Sequence, residues 1–511
     1  MRYVTARMKL QPLNSILQRG SCSRATHYQA KACTPCCCGV MRVSNESFLQ
    51  NSTTAVHNEP LQKRLRVLNS FNRKRAAAFA DLPDSEALRD RAREIKAHTI
   101  ANLDRYLLRL EESIVRLGGT VHWARNGDEA RAIILEIARR HNVKRVVKSK
   151  SMATEEIELN EAFEAAGIEP VETDLGEYIV QLAHEKPSHI LAPAIHKSKG
   201  DVSELFAARF GGPYLAEAAE LTQLARKQLR EKFCSAEMGV TGANFGVAET
   251  GTIVLVENEG NIRLSTTLPR VHVALMGIEK VIPKLDDLAV FLKILARSGA
   301  GQKMSSYVSF ISGARRPGEA DGAQEFHLVL LDNGRTTILA DPEKRESLYC
   351  LRCGACLNIC PVYQKIGGHA YGSVYSGPIG SIITPPMAGI EKAKDLPFAS
   401  SLCGACREVC PVGINIPHVL LKLRSEWVED RRADGSGPSF LEKAAMKLWR
   451  RAMSHPRLYS LLFRTAALFQ GPLLEEGKLK RLPAPFGGWT ENRDFPPLAK
   501  KSFRQMWKEM G

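Results

Sequence analysis

Seven of the thirteen cysteines crowd between Cys350 and Cys410, and their spacing constrains the chain more than any other feature. The first run is Cys350-x2-Cys353-x2-Cys356-x3-Cys360-Pro361. The second is Cys403-x2-Cys406-x3-Cys410-Pro411, and it repeats the first from its second cysteine onward. Ser400 stands where the repeat would place an opening cysteine. Three thiolates two residues apart on a tight loop converge on three corners of one iron–sulfur cubane, while the fourth, before proline, serves a different cluster. Structural zinc sites pair two short knuckles across a longer gap and do not match this spacing. Applied to both runs, the crossover gives one cluster to Cys350, Cys353, Cys356 and Cys410, and a second to Cys360, Cys403 and Cys406. The second then lacks one protein thiolate. Ser400 or another residue could fill that corner, a partner or water could occupy it, or one iron could be absent.

The other cysteines say less. Cys234 follows Phe233 and reads as a small buried or half-buried residue. Cys22, Cys33, Cys36, Cys37 and Cys38 lie in a basic, aperiodic stretch over residues 1–40. That stretch reads as an unstructured extension, with Met41 the expected start and a metal-binding tail the alternative. An odd cysteine count with tight local spacing argues against a disulfide framework and for a reducing compartment, so a cytoplasmic location is expected. No run of eighteen apolar residues suggests a membrane span.

The net charge is +16, but it is concentrated at the ends. Residues 1–50 carry seven Lys/Arg against one acid, and residues 430–511 sixteen against eight. A nearly balanced middle excludes a basic nucleic-acid face across the main domains. The basic ends suit an acidic partner or peripheral contact with an anionic membrane surface.

The chain divides into five expected regions: 1–40; a helical region, 41–118; an α/β domain, 119–340; the cysteine module, 345–425; and a basic helical and Pro/Gly-rich region, 426–511. In the helical region, apolar residues from Leu88 to Leu117 recur at helical spacing, Asp84-Ser85 marks a helix start and Gly118-Gly119 a stop. Beyond residue 119 strands are expected at Thr120–Trp123, Val143–Val147, Glu169–Thr173, His189–Ala192, Thr252–Val256, Ile262–Ser265, Val271–Met276, Tyr307–Ile311 and Phe326–Leu331. Helices are expected at Asp128–His141 and Glu155–Ala166. Such alternation predicts a largely parallel sheet. Phe440–Met453 and Arg457–Phe469 read as basic amphipathic helices, and the tail beyond Gly471 as extended or loosely ordered.

Within the α/β domain, Lys148-Ser-Lys-Ser-Met152 at a strand's C-terminal edge is a candidate anion site. The loop Gly242–Gly251 could bind an anion through its backbone N–H groups, with Glu249 as an acid or base. A turn with an ordinary carboxylate is the competing reading. His184, His189 and His196 read as polar or core histidines. No Gly-x-Gly-x-x-Gly follows a strand, so bound NAD or flavin is not expected.

The run Cys350-Leu-Arg-Cys-Gly-Ala-Cys-Leu-Asn-Ile-Cys-Pro-Val-Tyr363, with Gly367-Gly368-His-Ala-Tyr371, Gly377-Pro-Ile-Gly380 and Ser401-Leu-Cys-Gly-Ala-Cys-Arg-Glu-Val-Cys-Pro-Val412, resembles the lactate utilisation protein B family. Upstream, Glu172-Thr-Asp-Leu-Gly-Glu177, Gly242-Ala-Asn-Phe-Gly-Val-Ala-Glu-Thr-Gly251 and Asp332-Asn-Gly-Arg335 match the family's α/β domain. The resemblance covers about residues 45–500. It implies a domain like those of sugar-phosphate isomerases and CoA-transferases (a NagB/RpiA/CoA-transferase-like fold), preceded by helices and followed by an α-helical ferredoxin-like two-cluster module. It further implies two [4Fe-4S] clusters held by the seven cysteines, and an electron-transfer role in a multi-protein system that oxidises L-lactate to pyruvate. A subunit of another dehydrogenase, or of a heterodisulfide-reductase-like complex, is the alternative.

Overall fold

The computed structural model describes residues 43, 48–433, 440–482, 487–490 and 494–510. The Cys-rich stretch before Met41, and Met41 itself, lie outside the described residues, as do Pro483 and Pro485. The chain forms two compact units, Met1–Trp427 and Val428–Gly511.

Among the described residues of the first unit ten strands follow a set of helices: β1 (Thr120–Ala124), β2 (Arg145–Lys148), β3 (Glu169–Glu172), β4 (Met238–Thr241), β5 (Phe245–Val247), β6 (Thr252–Glu257), β7 (Val271–Gly277), β8 (Val281–Ile282), β9 (Tyr307–Ile311) and β10 (Glu325–Leu331). Six form a wholly parallel sheet in the order β1-β10-β7-β4-β2-β3. Its central strands β4 and β7 are buried at every position, as expected where both faces of a parallel sheet are covered. The other four form a mixed sheet, β8-β5-β6-β9.

Two expected strands are absent. Ile262–Ser265 lies in a helix, Asn261–Thr267. Its start is fixed by the Glu257 carboxylate, which accepts the N–H groups of Ile262 (2.7 Å) and Arg263 (3.0 Å). His189–Ala192 is irregular because the His189 ring accepts the N–H groups of Leu191 and Ala192 and curls the chain. Glu155–Ala166 divides into Met152–Glu156 and Leu159–Ala165, joined through Glu158 at φ 51°. Strands β4, β5 and β8, and the helices Lys199–Phe210, Ala218–Ser235 and Leu285–Ala300, were not expected from the sequence. Asp84 does begin the helix Ser85–Ala101, but makes no side-chain cap bond.

The cysteine module shares its core with the rest of the unit. Leu65 and Leu68 from the N-terminal helices, Phe245 and Phe291 from the α/β domain, and Tyr363 and Ile382 from the module belong to one continuous buried cluster. The helix Leu285–Ala300 comes so close to the first cysteine loop that a Cβ at Gly299 would lie 2.8 Å from the carbonyl oxygen of Cys353.

The second unit holds the helices Phe440–Ser454 and Pro456–Phe469, which pack together, with a short ribbon of Leu474–Glu475 and Lys478–Leu479. Among the described residues the tail holds regular elements as well as irregular ones. Phe495 bridges to Leu479, and Phe503–Met510 is helical. Among the described residues no helix is long and apolar enough to cross a membrane.

Candidate iron–sulfur centre and adjoining cavity

The two cysteine runs have the same backbone. In the first, the N–H of Arg352 donates to Cys350 Sγ at 3.3 Å, Arg352 and Gly354 take φ of 62° and 76°, and a short helix begins at Ala355. In the second, the N–H of Leu402 donates to Ser400 Oγ at 3.1 Å, Leu402 and Gly404 take φ of 54° and 86°, and a short helix begins at Ala405. A left-handed residue other than glycine costs about 1–2 kcal/mol, so its recurrence at the same step of both runs marks a loop shape that the surroundings enforce.

The thiols fall into two neighbourhoods. Burial raises Cys353 to about 12, and the nearby sulfurs of Cys350 and Cys410 push the same way. Burial likewise raises Cys356, with Cys350, Cys353 and Cys410 close by. Cys410 is raised by burial to about 11, with Cys350 beside it. Cys406 is raised by burial to about 12, with the sulfurs of Cys360 and Cys403 pushing the same way. Cys356 also senses Cys406, which links the two groups. Cys403 is exposed, whereas Cys360, Cys406 and Cys410 are buried; Cys234, expected to be buried or half-buried, is exposed as well.

A small cavity lies among Cys350, Cys353, Cys356 and Cys410, and its remaining side-chain walls include Ile379, Ile414 and Ile416. Backbone N–H groups point at the sulfurs: Tyr363 to Cys360 at 3.5 Å and Ile414 to Cys410 at 3.4 Å. Buried thiols packed together resist ionising on their own, while a thiolate bound to iron spreads its charge over the cluster. The sulfur donors, the apolar walls and the N–H groups fit an iron–sulfur cluster.

Arginines from the N-terminal helices hold the second run in place. Arg75 donates to the carbonyl of Val409 (2.8 Å), Arg89 to that of Cys410 (2.9 Å) and Arg93 to that of Val412 (3.2 Å). Arg93 also pairs with Glu346 at 2.9 Å, and Glu346 in turn accepts the N–H of Asn415 at 2.9 Å. Sequence reasoning missed these residues. The available signal was Arg89 and Arg93 one turn apart on one helix face, a pattern that usually marks a solvated surface. Asn358, between the cysteines of the first run, bonds His189 Nε2 (3.0 Å) and the carbonyl of Gly299 (3.0 Å), tying the module to the α/β domain. His189 is therefore a core histidine, and His196 pairs with Glu185 at 2.6 Å.

A larger cavity, about 320 Å³, opens at the C-terminal ends of β2, β4 and β7, where the first cysteine loop closes it. Ser149, Lys150, Asn244, Lys280, Arg352 and Cys353 are among its walls. Lys148 does not serve as an anion-binding cation. It is fully buried and paired with Glu155 (2.9 Å) and Glu172 (2.6 Å), and these carboxylates outweigh burial and raise its pKa. Glu249 does not line the cavity. It accepts the N–H of Leu285 and so begins the helix there.

Beneath the cavity Arg335, 2% exposed, donates to both oxygens of Glu156 (2.9 and 2.8 Å) and to Glu279 (2.6 Å). Tyr375 donates to Glu156 at 2.5 Å. Burial alone would raise Glu279, but Arg335, Arg352 and Lys280 outweigh it and hold the carboxyl at about 2. Gly277 leaves the room this network needs, because a Cβ there would lie 2.2 Å from the Glu279 carboxylate.

A parallel α/β domain fused to a repeated cysteine module defines an iron–sulfur protein, and comparison with known proteins agrees. The family models described as LUD domain, 4Fe-4S dicluster domain and lactate utilisation protein B, C-terminal, match residues 107–331, 346–414 and 422–511. Lactate utilization protein B of Bacillus licheniformis is 43% identical over 92% of this chain and 98% of its own. Lactate utilization protein B 1 of Bacillus mycoides is 43% identical over 92% and 97%, and the Shouchella clausii protein 45% over 85% and 90%. A crystal structure of a DUF162 family protein from Deinococcus radiodurans covers 45% of this chain at 12% identity, with a TM-score of 0.26, too low to bear on the fold. The chain belongs to the lactate utilisation protein B family.

Proposed function

We propose that the chain carries electrons for a multi-protein system that oxidises L-lactate to pyruvate, and that it does so on two [4Fe-4S] clusters. Cys350, Cys353, Cys356 and Cys410 hold the first. Cys360, Cys403 and Cys406 hold the second, with its fourth corner at or near Ser400. The observation that carries this reading is the cavity walled by the first four sulfurs, one of them contributed by the second run. When bound, such clusters exchange electrons one at a time. Removal of hydride from lactate needs an acceptor of another kind, which places that step on a partner of the system or on a second site. Exposure of Cys403 suits passage of electrons between the second neighbourhood and a docking partner. The α/β domain has the NagB/RpiA/CoA-transferase-like fold in this reading, and the protein works in the cytoplasm, with peripheral membrane contact through its basic C-terminal helices.

Two measurements test the proposal. Anaerobic reconstitution is expected to give about eight irons per chain, and fewer than about six contradicts two full clusters. Deletion of the gene in a strain with no other lactate oxidase is expected to abolish growth on L-lactate, and normal growth sinks the lactate role.

A further inference from the structure

The larger cavity contains polar groups that the cluster sites leave unused. Ser149 is fully buried, and its hydroxyl has no partner within the protein. Arg352 is stacked on the Tyr375 ring at 4.4 Å and reaches Glu279 only at 3.6 Å through Nη2, while its buried Nη1 has no partner. Lys280 makes one long contact, 3.4 Å, to the carbonyl of Cys350. All three residues line the cavity.

We propose that this cavity binds a small carboxylate monoanion, anchored by Arg352 and Lys280 and contacted by the Ser149 hydroxyl. The hydrogen-bonding capacity left over supports the class of ligand. Arg335 is fully engaged by Glu156 and Glu279, whereas Arg352 reaches Glu279 only at 3.6 Å and Lys280 meets only the carbonyl of Cys350, so both keep donors for an entering carboxylate beside the charge of a neighbouring cluster. A buried cation without a partner is costly, and an entering carboxylate relieves that cost with charge-assisted hydrogen bonds. The rest of the cavity opposes a polyanion. Asp174, Glu257 and Glu259 also line it, and the carboxyls of Glu257 and Glu259 are already engaged by the N–H groups of Ile262, Arg263 and Leu175. A nucleotide or phosphate ester would bring two or more negative charges against these acids. A small acid reaching only the end bounded by Arg352 avoids them.

The site adjoins the first cysteine neighbourhood directly, because Arg352 and Cys353 belong to both cavities. An anion bound there adds negative charge beside the sulfurs and disfavours further reduction, so binding is expected to lower the potential of the nearer cluster. The proposal rests on the lactate reading only for the choice of L-lactate and pyruvate as probes.

The test is calorimetric titration of the anaerobically reconstituted full chain with L-lactate, pyruvate, acetate and inorganic phosphate, alongside the EPR spectrum of the reduced protein. L-lactate or pyruvate is expected to bind more tightly than phosphate and to change the spectrum. Ser149→Ala and Lys280→Met are each expected to weaken binding by about tenfold or more with iron content unchanged. Ser149 lies far in sequence from every cysteine, so its variant separates loss of the site from loss of a cluster. The proposal is overturned if no carboxylate binds below about 10 mM, or if both variants bind as the parent does. In the first case, with growth on L-lactate still lost on deletion, the cations serve the cluster alone and the hydroxy acid is bound by another protein. The electron-carrier reading then stands.

Discussion

Ser400 stands in the place of Cys350. Its hydroxyl accepts the N–H of Leu402 at 3.1 Å, as the Cys350 sulfur accepts that of Arg352 at 3.3 Å. The second run has therefore kept the loop that presents an opening ligand and changed only the atom it presents. Ser400→Cys is expected to fold normally and to place an eighth thiolate at the second cluster. Added negative charge lowers a cluster's potential, so an EPR-monitored redox titration should show the second cluster shifted downward and the first unchanged. Two unchanged potentials would mean that residue 400 does not reach the iron.

Arg335 joins Glu156 and Glu279 where none of the three meets water. Arg335→Leu leaves two carboxylates buried without their partner. The expected loss is about 3–5 kcal/mol in denaturant unfolding, as for other broken buried pairs. A loss below about 1 kcal/mol would show that the carboxyls are neutralised some other way.

Gly299 is set by proximity rather than by backbone angle. A Cβ there meets the carbonyl of Cys353 at 2.8 Å and Leu191 at 3.0 Å. Leu191 can rotate away, but the carbonyl belongs to the loop that shapes the first cavity. Gly299→Ala is expected to cost about 1–3 kcal/mol and to lower iron retention after gel filtration. Full retention would show that the loop can yield.

Three histidines make the protein sensitive to mild acid. Burial, with smaller contributions from Lys150 for His189 and His327 for His272 and His122, lowers the pKa to about 3 in His189 and His272 and about 4 in His122. The unfolded chain protonates near 6.5, so these neutral rings favour the folded state fully above that pH, and the advantage is lost as pH falls below it. The melting temperature is expected to be level above about pH 7 and to fall between about 6.5 and 4, less steeply in His272→Gln. A profile that falls only below about pH 4 would assign acid unfolding to carboxylates instead.

The sequence made the cysteine repeat and much of the parallel sheet legible because both depend on local spacing. β7 is apolar apart from His272, and no partner is needed to read it. Lys148 was misread because the carboxylates that occupy it, Glu155 and Glu172, come from a following helix and the neighbouring strand. Ile262–Ser265 has apolar residues suited to a strand, but the Glu257 carboxylate captures its first N–H groups and turns it into a helix. The cavity was half legible. Ser149 and Lys150 fell in a loop already marked for anions, but Lys280, Arg335 and Arg352 reach it from three distant segments.

The grip of Arg75, Arg89 and Arg93 on the second run sets the order of events during synthesis. The carbonyls they hold lie 334, 321 and 319 residues further along the chain. A nascent protein therefore exposes these helices, and then the first three cysteines, long before the residues that complete them emerge from the ribosome. A chain that stops short of Cys410 has neither the fourth sulfur of the first neighbourhood nor the loop that the arginines clasp. Stable loading of the first site is therefore expected only once translation has passed Cys410, and a product truncated before it is expected to retain less iron.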